Sequence, residues 1–366
     1  MSGGLRLNLS RKSYIVRRWQ RGDGIQVHCL YSLQLVNTSH LTPTLYLRDK
    51  HAIILRNSWQ FYKEIASKRS LLRMYTMAKT VAEGFQKLKE NLLITDLQEE
   101  TVSTRQQNVR AVVENGLTVL DSFLTGSYKR HTMIAPLSKA DIDIFIILDA
   151  SYYSEDGQGS LLDKVKYVLR KTYTKTPDIS RDGQAVTITF TDFKVDVVPA
   201  FNRRGGGYLI PNTVLGKWIS TNPKDHIEIW SKANKAHNDD LVPLIKMIKA
   251  WNKENGETLT SFHLECLILQ ILANVTITNF SSGVRYVFDK ARVAVQNPVP
   301  DPTGYNPNVG AYLNTTEKIS DVVNRLETAY TRAVKAEQAA ARGNIQEAFT
   351  YWRYIFGGYF PAYNFY

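Results

Sequence analysis

Acidic residues are scarce in the first fifth of this chain. Residues 1–73 carry thirteen Lys and Arg against three acids, Asp23, Asp49 and Glu64. The formal net charge of the 366-residue chain is +12, and all but a small part of it sits in that segment. The basic character therefore describes one stretch and not the whole chain. Cysteine is also scarce. Cys29 and Cys266 alone exclude a disulfide framework or a cysteine-rich zinc site, and they fit a reducing, cytoplasmic compartment. No apolar run approaches 18 residues, so a soluble protein without membrane contact is expected. No Gly-x-x-x-x-Gly-Lys-Ser/Thr loop occurs, which excludes a P-loop ATPase. His226 and His237 stand eleven residues apart, no histidine pair has the i,i+4 spacing of a helical zinc site, and His263 reads as structural. There is no internal repeat and no low-complexity tract.

What is present is a set of carboxylates. Asp141 and Asp143 lie in Ser138-Lys-Ala-Asp-Ile-Asp-Ile-Phe-Ile-Ile-Leu148, and Asp196 lies in Phe193-Lys-Val-Asp-Val-Val-Pro199. Residues i and i+2 of a strand share a face, so Asp141 and Asp143 stand side by side with Ile142 and Ile144 opposite. Adjacent carboxylates raise each other's pKa unless a cation lies between them. Mg²⁺ suits such a site, because it takes hard oxygen ligands and then binds substrate phosphates. A third carboxylate on a neighbouring strand would complete a two-metal site for phosphoryl or nucleotidyl transfer. Gly126-Ser127, fourteen residues before Asp141, offers a turn where backbone can approach a phosphate. Taken singly these signals are weak: Gly-Ser is a common turn, Asp-x-Asp is often a solvated strand end, and Asp196 could pair with Lys194. Their order is far more specific.

Along the chain, residues 1–73 show no sustained amphipathic period. They read either as a basic arm for nucleic acid or, preferably, as a leader outside the fold, with Met77 or Met74 opening the folded protein. Helices are expected over Thr80–Asn91 and from about Glu99 to Asn115. Ile142–Leu148 reads as a buried central strand. Ser160 is expected to cap a helix through Tyr173, and Ala185–Phe190 with Phe193–Val198 to form a hairpin. Pro223 opens a helix through about Ala236, Asp240 caps the next, and Thr260 or Ser261 starts another through Ala273. Residues 296–314 form a loop, and helices follow over Thr316 to about Ala341 and Ile345–Phe356. The outline is a catalytic α/β lobe over residues 74–215 and a helical lobe over 216–366 that closes the cleft, the expected site.

The ordered set of apolar run, Gly-Ser, Asp-x-Asp on a strand and a later strand Asp resembles the polymerase-beta-like nucleotidyltransferase superfamily. Thr132, Asn222-Pro223-Lys-Asp-His226, Ile248-Lys-Ala-Trp-Asn252, Thr260-Ser-Phe-His-Leu-Glu265 and Trp352-Arg-Tyr-Ile-Phe-Gly357 with Phe360-Pro361 narrow the likeness to the CD-NTases. These are bacterial relatives of cyclic GMP-AMP synthase and oligoadenylate synthetase. The resemblance covers roughly Met77 to Pro361, and residues 1–73 have no counterpart in it. It implies an α+β fold: a polymerase-beta-like nucleotidyltransferase core with a mixed sheet, plus an oligoadenylate synthetase-like C-terminal helical lobe.

By the same resemblance Asp141 and Asp143 ligate two Mg²⁺ ions, and Asp196 ligates the catalytic one and helps deprotonate the attacking ribose hydroxyl. Ser127 and the Gly126 backbone hold β- and γ-phosphates, Lys249 and Ser261 meet the triphosphate, and Phe262 stacks on a base. A lysine is a point charge suited to phosphate, and an aromatic face is a base platform. The plainer readings are that Lys246 makes the contact or both lysines are solvated, that Ser261 only caps a helix, and that Phe262 is ordinary core. The implied activity is synthesis of a cyclic di- or trinucleotide second messenger from nucleoside triphosphates, ATP foremost, in anti-phage defence. A HORMA-type activator and a downstream effector reached through the product are the implied partners. Two alternatives stand beside it. One is a nucleotidyltransferase acting on RNA or protein or making linear oligoadenylate, which the near-neutral catalytic region disfavours. The other is a non-catalytic polyanion-binding protein acting through residues 1–73.

Overall fold

The computed structural model describes residues 78–176 and 178–363, which belong to one compact unit, Met74–Tyr366. The basic segment 1–73 and the candidate starts Met74 and Met77 lie outside the described residues. Helix α1 (Val81–Asn91) opens on a capping box: Thr80 accepts from the Glu83 amide while the Glu83 carboxylate accepts from the Thr80 amide. Helix α2 (Asp96–Gly116) starts three residues earlier than its expected Glu99, because Thr95 and Gln98 form a second box.

Strand β1 (Val119–Leu124) leads into the Gly-Ser turn and the one-turn helix α3 (Gly126–Lys129). Strand β2 (Asp141–Leu148) follows, then helix α4 (Gln158–Thr172), and then strands β3 (Asp178–Asp182), β4 (Ala185–Thr189), β5 (Lys194–Asn202), β6 (Tyr208–Asn212) and β7 (Lys217–Thr221). Helix α4 begins at Gln158 with Gly157 as its N-cap, not at Ser160. The Ser160 hydroxyl instead donates to the Gly157 carbonyl, so it cannot serve as the cap acceptor.

The strands form one mixed sheet in the order β1-β2-β5-β4-β3, with β6 paired to the end of β5 and β7 to β6. Only β2 and β5 run parallel; the other pairs are antiparallel. The even face of β2 (Ile142, Ile144, Ile146, Leu148) packs with Val102, Val109 and Val113 of α2 and with Leu161, Leu162, Val165 and Leu169 of α4. Branched side chains on a strand covered by two helices give the near-continuous apolar run seen in the sequence.

The remaining helices are α5 (Pro223–Ala236), α6 (Leu241–Glu254), α7 (Ser261–Leu272), α8 (Phe280–Ala294), α9 (Thr316–Ala341) and α10 (Ile345–Phe356). Their apolar faces build a second core around Trp230, Trp251, Phe288, Trp352 and Phe356, and Phe85 and Leu88 of α1 join it together with Leu92, the residue that caps its C-terminus. Helix α1 thus precedes the sheet in sequence yet packs with the C-terminal helices. The bounds of α5, α9 and α10 match expectation, and residues 296–314 form the expected loop of turns. Helix α8 and strands β3, β6 and β7 are additions that the sequence reading did not anticipate.

Candidate active site

The odd face of β2 begins with Asp141 and Asp143 and continues as Phe145 and Ile147, which pack with Ala200, Tyr208 and Ile210. The carboxylates therefore occupy the end of the strand where this smaller core runs out. Parallel pairing sets Asp143 directly opposite Asp196 and Asp141 opposite Lys194. On its other side Asp196 faces Thr187 of β4, whose hydroxyl donates to Asp196 Oδ1 at 2.6 Å. Asp196 is thus held in orientation by a neighbouring strand.

Gly126 packs closely against the carboxylate of Asp143. Its φ is +65°, a region that favours glycine. A Cβ added there would lie 1.7 Å from Oδ2 of Asp143. The Gly-Ser turn can close against Asp143 only without a side chain. The Thr125 amide donates to the Asp143 carbonyl at 2.9 Å, which extends β1-β2 pairing to the turn itself. Asp143 is half-buried, and its pKa is raised to about 7. Burial is the main cause and repulsion from Asp196 and Asp141 adds to it, while Arg130 and Lys249 oppose it.

Across the cleft, helices α6 and α7 present a different arrangement. Glu265 of α7 is fully buried and accepts three hydrogen bonds. Its Oε1 receives Lys249 Nζ at 3.0 Å and Thr132 Oγ1 at 2.8 Å, and its Oε2 receives Arg130 Nε at 2.9 Å. Burial alone would raise the Glu265 pKa, but Lys249 and Arg130 outweigh it and hold the carboxyl down at about 2. Phe262 stacks on Trp230 with centroids 6.0 Å apart and meets the His226 ring edge-on at 5.0 Å. His226 Nε2 lies 2.7 Å from Oδ1 of Asp301, which ties α5 to the loop 296–314. His263 is buried, bonds the Tyr312 hydroxyl, and has its pKa lowered to about 4 by burial, as a structural histidine would.

A single cleft of about 1020 Å³ is lined by all eight residues singled out in the sequence: Gly126, Ser127, Asp141, Asp143, Asp196, Lys249, Ser261 and Phe262. Lys249 lines it and Lys246 does not. Thr260, not Ser261, is the N-cap of α7, which leaves the Ser261 side chain to the cleft. Sequence reasoning missed Arg130, Lys139, Asn212, Trp218, Asn252 and Lys253 as lining residues. Arg130 was within reach, since it directly follows Gly-Ser-Tyr-Lys. Asn212 and Trp218 were not, because they come from the unanticipated hairpin β6-β7.

Hard carboxylate oxygens, one of them on a group that burial and like charge resist ionising, are what a divalent cation would stabilise. Among the described residues no three His, Cys, Asp or Glu side chains already converge as a metal cage. The donor set fits Mg²⁺ in type, as a site completed by ion and substrate oxygens together.

Carboxylates on two parallel strands beside a Gly-Ser turn, on a mixed sheet backed by helices, define a polymerase-beta-like nucleotidyltransferase. Residues 79–234 match the family model described as Second Messenger Oligonucleotide or Dinucleotide Synthetase domain. The chain is 29% identical over 256 residues to a cyclic AMP-AMP-AMP synthase of an Acinetobacter strain, covering 66% of this chain and 72% of that one. Its fold resembles E. coli MS115-1 CdnC in complex with HORMA-deltaN, with a TM-score of 0.64 at 16% identity over 77% of this chain and 98% of the other. The same enzyme with ATP gives a TM-score of 0.63 at 15% identity, covering 77% and 99%. The chain thus carries a Second Messenger Oligonucleotide or Dinucleotide Synthetase domain over residues 79–234 and is similar to the CD-NTases. It is a nucleotidyltransferase, and its curated relatives are named cyclic oligonucleotide synthases, a CBASS oligonucleotide cyclase of Escherichia coli among them. Among the described residues no helix is long and apolar enough to cross a membrane.

Proposed function

We propose that this enzyme joins nucleoside triphosphates, ATP among them, into a cyclic di- or trinucleotide at the cleft between the carboxylate strands and helices α6–α7. The observation that carries the reading is the in-register pairing of Asp143 with Asp196, two residues from Asp141 and in contact distance of the Gly126 backbone. When bound, Mg²⁺ supplies Lewis acidity at the α-phosphate and stabilises both the attacking and the leaving oxygen. Asp141, Asp143 and Asp196 are the residues that would hold it. The ribose hydroxyl of one nucleotide attacks the α-phosphorus of another, the bond to pyrophosphate breaks, and Asp196 receives the hydroxyl proton. The Thr187 hydroxyl keeps Asp196 turned for that task.

The Gly126-Ser127 backbone and the Ser127 hydroxyl bind the outer phosphates from the sheet side, and Lys249 and Ser261 meet them from the helical side. Phe262 and the cleft face beside it take a base, since a ring already fixed against Trp230 loses little freedom on stacking. The sheet with its helices and the C-terminal helical core are read as the two walls of this cleft; the division expected at 215/216 does not follow them strictly, because α1 packs with the helical core and β7 (Lys217–Thr221) pairs with β6. A HORMA-type activator follows from the likeness to a CdnC solved with such a partner. The test is incubation of the full chain with mixed triphosphates and Mg²⁺, with and without that activator, followed by mass spectrometry. A cyclic product that disappears in the Asp141→Ala, Asp143→Ala variant is expected. Transfer of labelled nucleotide to RNA or protein, with no free product, would replace this reading with the acceptor-modifying one.

A further inference from the structure

Glu265 is the only fully buried acid among the described residues, and it does not line the cleft itself. Its three partners come from two separate parts of the chain. Lys249 lies on α6. Arg130 and Thr132 lie in the segment directly after α3. That segment is bonded to the Gly-Ser turn: the Arg130 amide donates to the Gly126 carbonyl at 3.1 Å, and the Thr132 amide donates to the Ser127 carbonyl at 2.9 Å. One carboxylate thus holds the ammonium on the helical wall and the turn on the sheet wall in a common frame.

The charges argue the same way. A buried carboxylate between two cations leaves the cluster one positive charge in excess, and Lys249 and Arg130 both lie on the cleft lining. Buried ion pairs seldom add stability relative to apolar packing, so a cluster kept at the cleft wall points to geometry as its use. An ammonium on a four-carbon stem has many rotamers in solution; a bond to a fixed acceptor removes that freedom before substrate arrives.

Resting on the reading of the cleft as a triphosphate site, we propose that Glu265 is a positioning residue. It presets Lys249 against the Gly126-Ser127 turn, so that one triphosphate is gripped from both walls at once. Glu265 touches no substrate and acts through Lys249 and through Arg130 and Thr132.

The test is a double-mutant cycle on the full chain, read as KM for ATP and kcat with Mg²⁺, after thermal melts have shown each variant to be folded. Lys249→Met, which keeps the stem and removes the charge, should raise KM by about tenfold or more, as loss of a charge-assisted contact does. Glu265→Gln should raise KM roughly fivefold with kcat changed less than about twofold, and should add less than about twofold beside Lys249→Met. Equal KM penalties in both backgrounds would show a purely structural role and overturn the proposal, as would a loss confined to kcat. Thr132→Val removes one of the three bonds while keeping the branched shape, and it is the milder arm if the Gln variant does not fold. It should raise KM about twofold in the parent and not beside Lys249→Met. Asp143→Asn is the separate check: product formation by that variant would sink the reading of the cleft, whatever the lysine cycle gives.

Discussion

The two walls of the cleft each hold a carboxylate, half-buried on one and fully buried on the other, and treat them oppositely. On the sheet wall Asp143 faces Asp196 and neighbours Asp141, so burial and like charge push its pKa up to about 7. On the helical wall Glu265 is buried more completely, yet Lys249 and Arg130 hold it at about 2. Depth is thus a poor guide to the state of an acid; the sign of the nearest charge decides it. The helical wall is complete as folded. The sheet wall carries a charge deficit suited to a cation that arrives with substrate.

The comparison can be broken most severely at the sheet wall. Asp141→Ala with Asp143→Ala should lower nucleotidyl transfer by about 10³-fold or more, the rate equivalent of losing several kcal/mol of metal stabilisation. Product mass spectra would check it. Gly126→Ala comes next, because its methyl would meet the Asp143 carboxylate and its φ is +65°. Turnover should fall by about 10²-fold, the cost of a displacement of roughly 1 Å in a positioned group, while far-UV circular dichroism stays unchanged.

At the helical wall, Glu265→Ala should destabilise the fold by about 3–5 kcal/mol, since it strands two buried cations. Denaturant melts would measure it, and a change under about 1 kcal/mol would mean the cluster is open to water.

The smallest effect sharpens the contrast through pH. Asp143 has a folded pKa above its unfolded value, so the native state binds the extra proton. Without divalent cation, this group's contribution to stability is present at low pH and is lost as pH rises from about 4 to about 7. Glu265 has the opposite sign: its contribution is present above its unfolded pKa and is lost as pH falls through about 2. Asp143→Asn should flatten the first slope and leave the second. Added Mg²⁺ should stabilise the parent more at pH 8 than at pH 6, and a shift equal at both would contradict the assignment.

Much of this was legible in the sequence, and the gaps have physical causes. Helices α5, α9 and α10 announced themselves by Pro223 at a first turn and by long apolar stripes. The carboxylates were legible because i,i+2 spacing and an apolar strand fix a face. What composition alone could not show is register. Nothing local tells that Asp143, rather than Asp141, faces Asp196, since that depends on pairing across an intervening helix and two strands. Helix α8 was missed although Asn279 caps it and Val284, Val287, Phe288 and Ala291 share its buried face. Strands β6 and β7 are five residues each, joined by a turn, too short for alternation to stand out. Glu265 stands out in the sequence only as the last residue of Thr260-Ser-Phe-His-Leu-Glu265. An acid in the run His-Leu-Glu-Cys-Leu-Ile reads as an anomaly in an apolar helix, and two of its three partners, Arg130 and Thr132, lie far from it in sequence.

Parallel pairing of β2 with β5 has a consequence for how this enzyme can change over time. Asp143 and Asp196 stand fifty-three positions apart in the chain, yet their apposition depends only on the phase of two strands. Lengthening the crossover, for instance in the turn before α4, leaves that phase untouched, because loop length costs little and moves no paired residue. A single residue inserted between Asp143 and Ile146 would swing Asp141 and Asp143 together onto the helix-packed face. Lineages of this enzyme are therefore free to drift in the length of the crossover and locked in the parity of its two flanking strands.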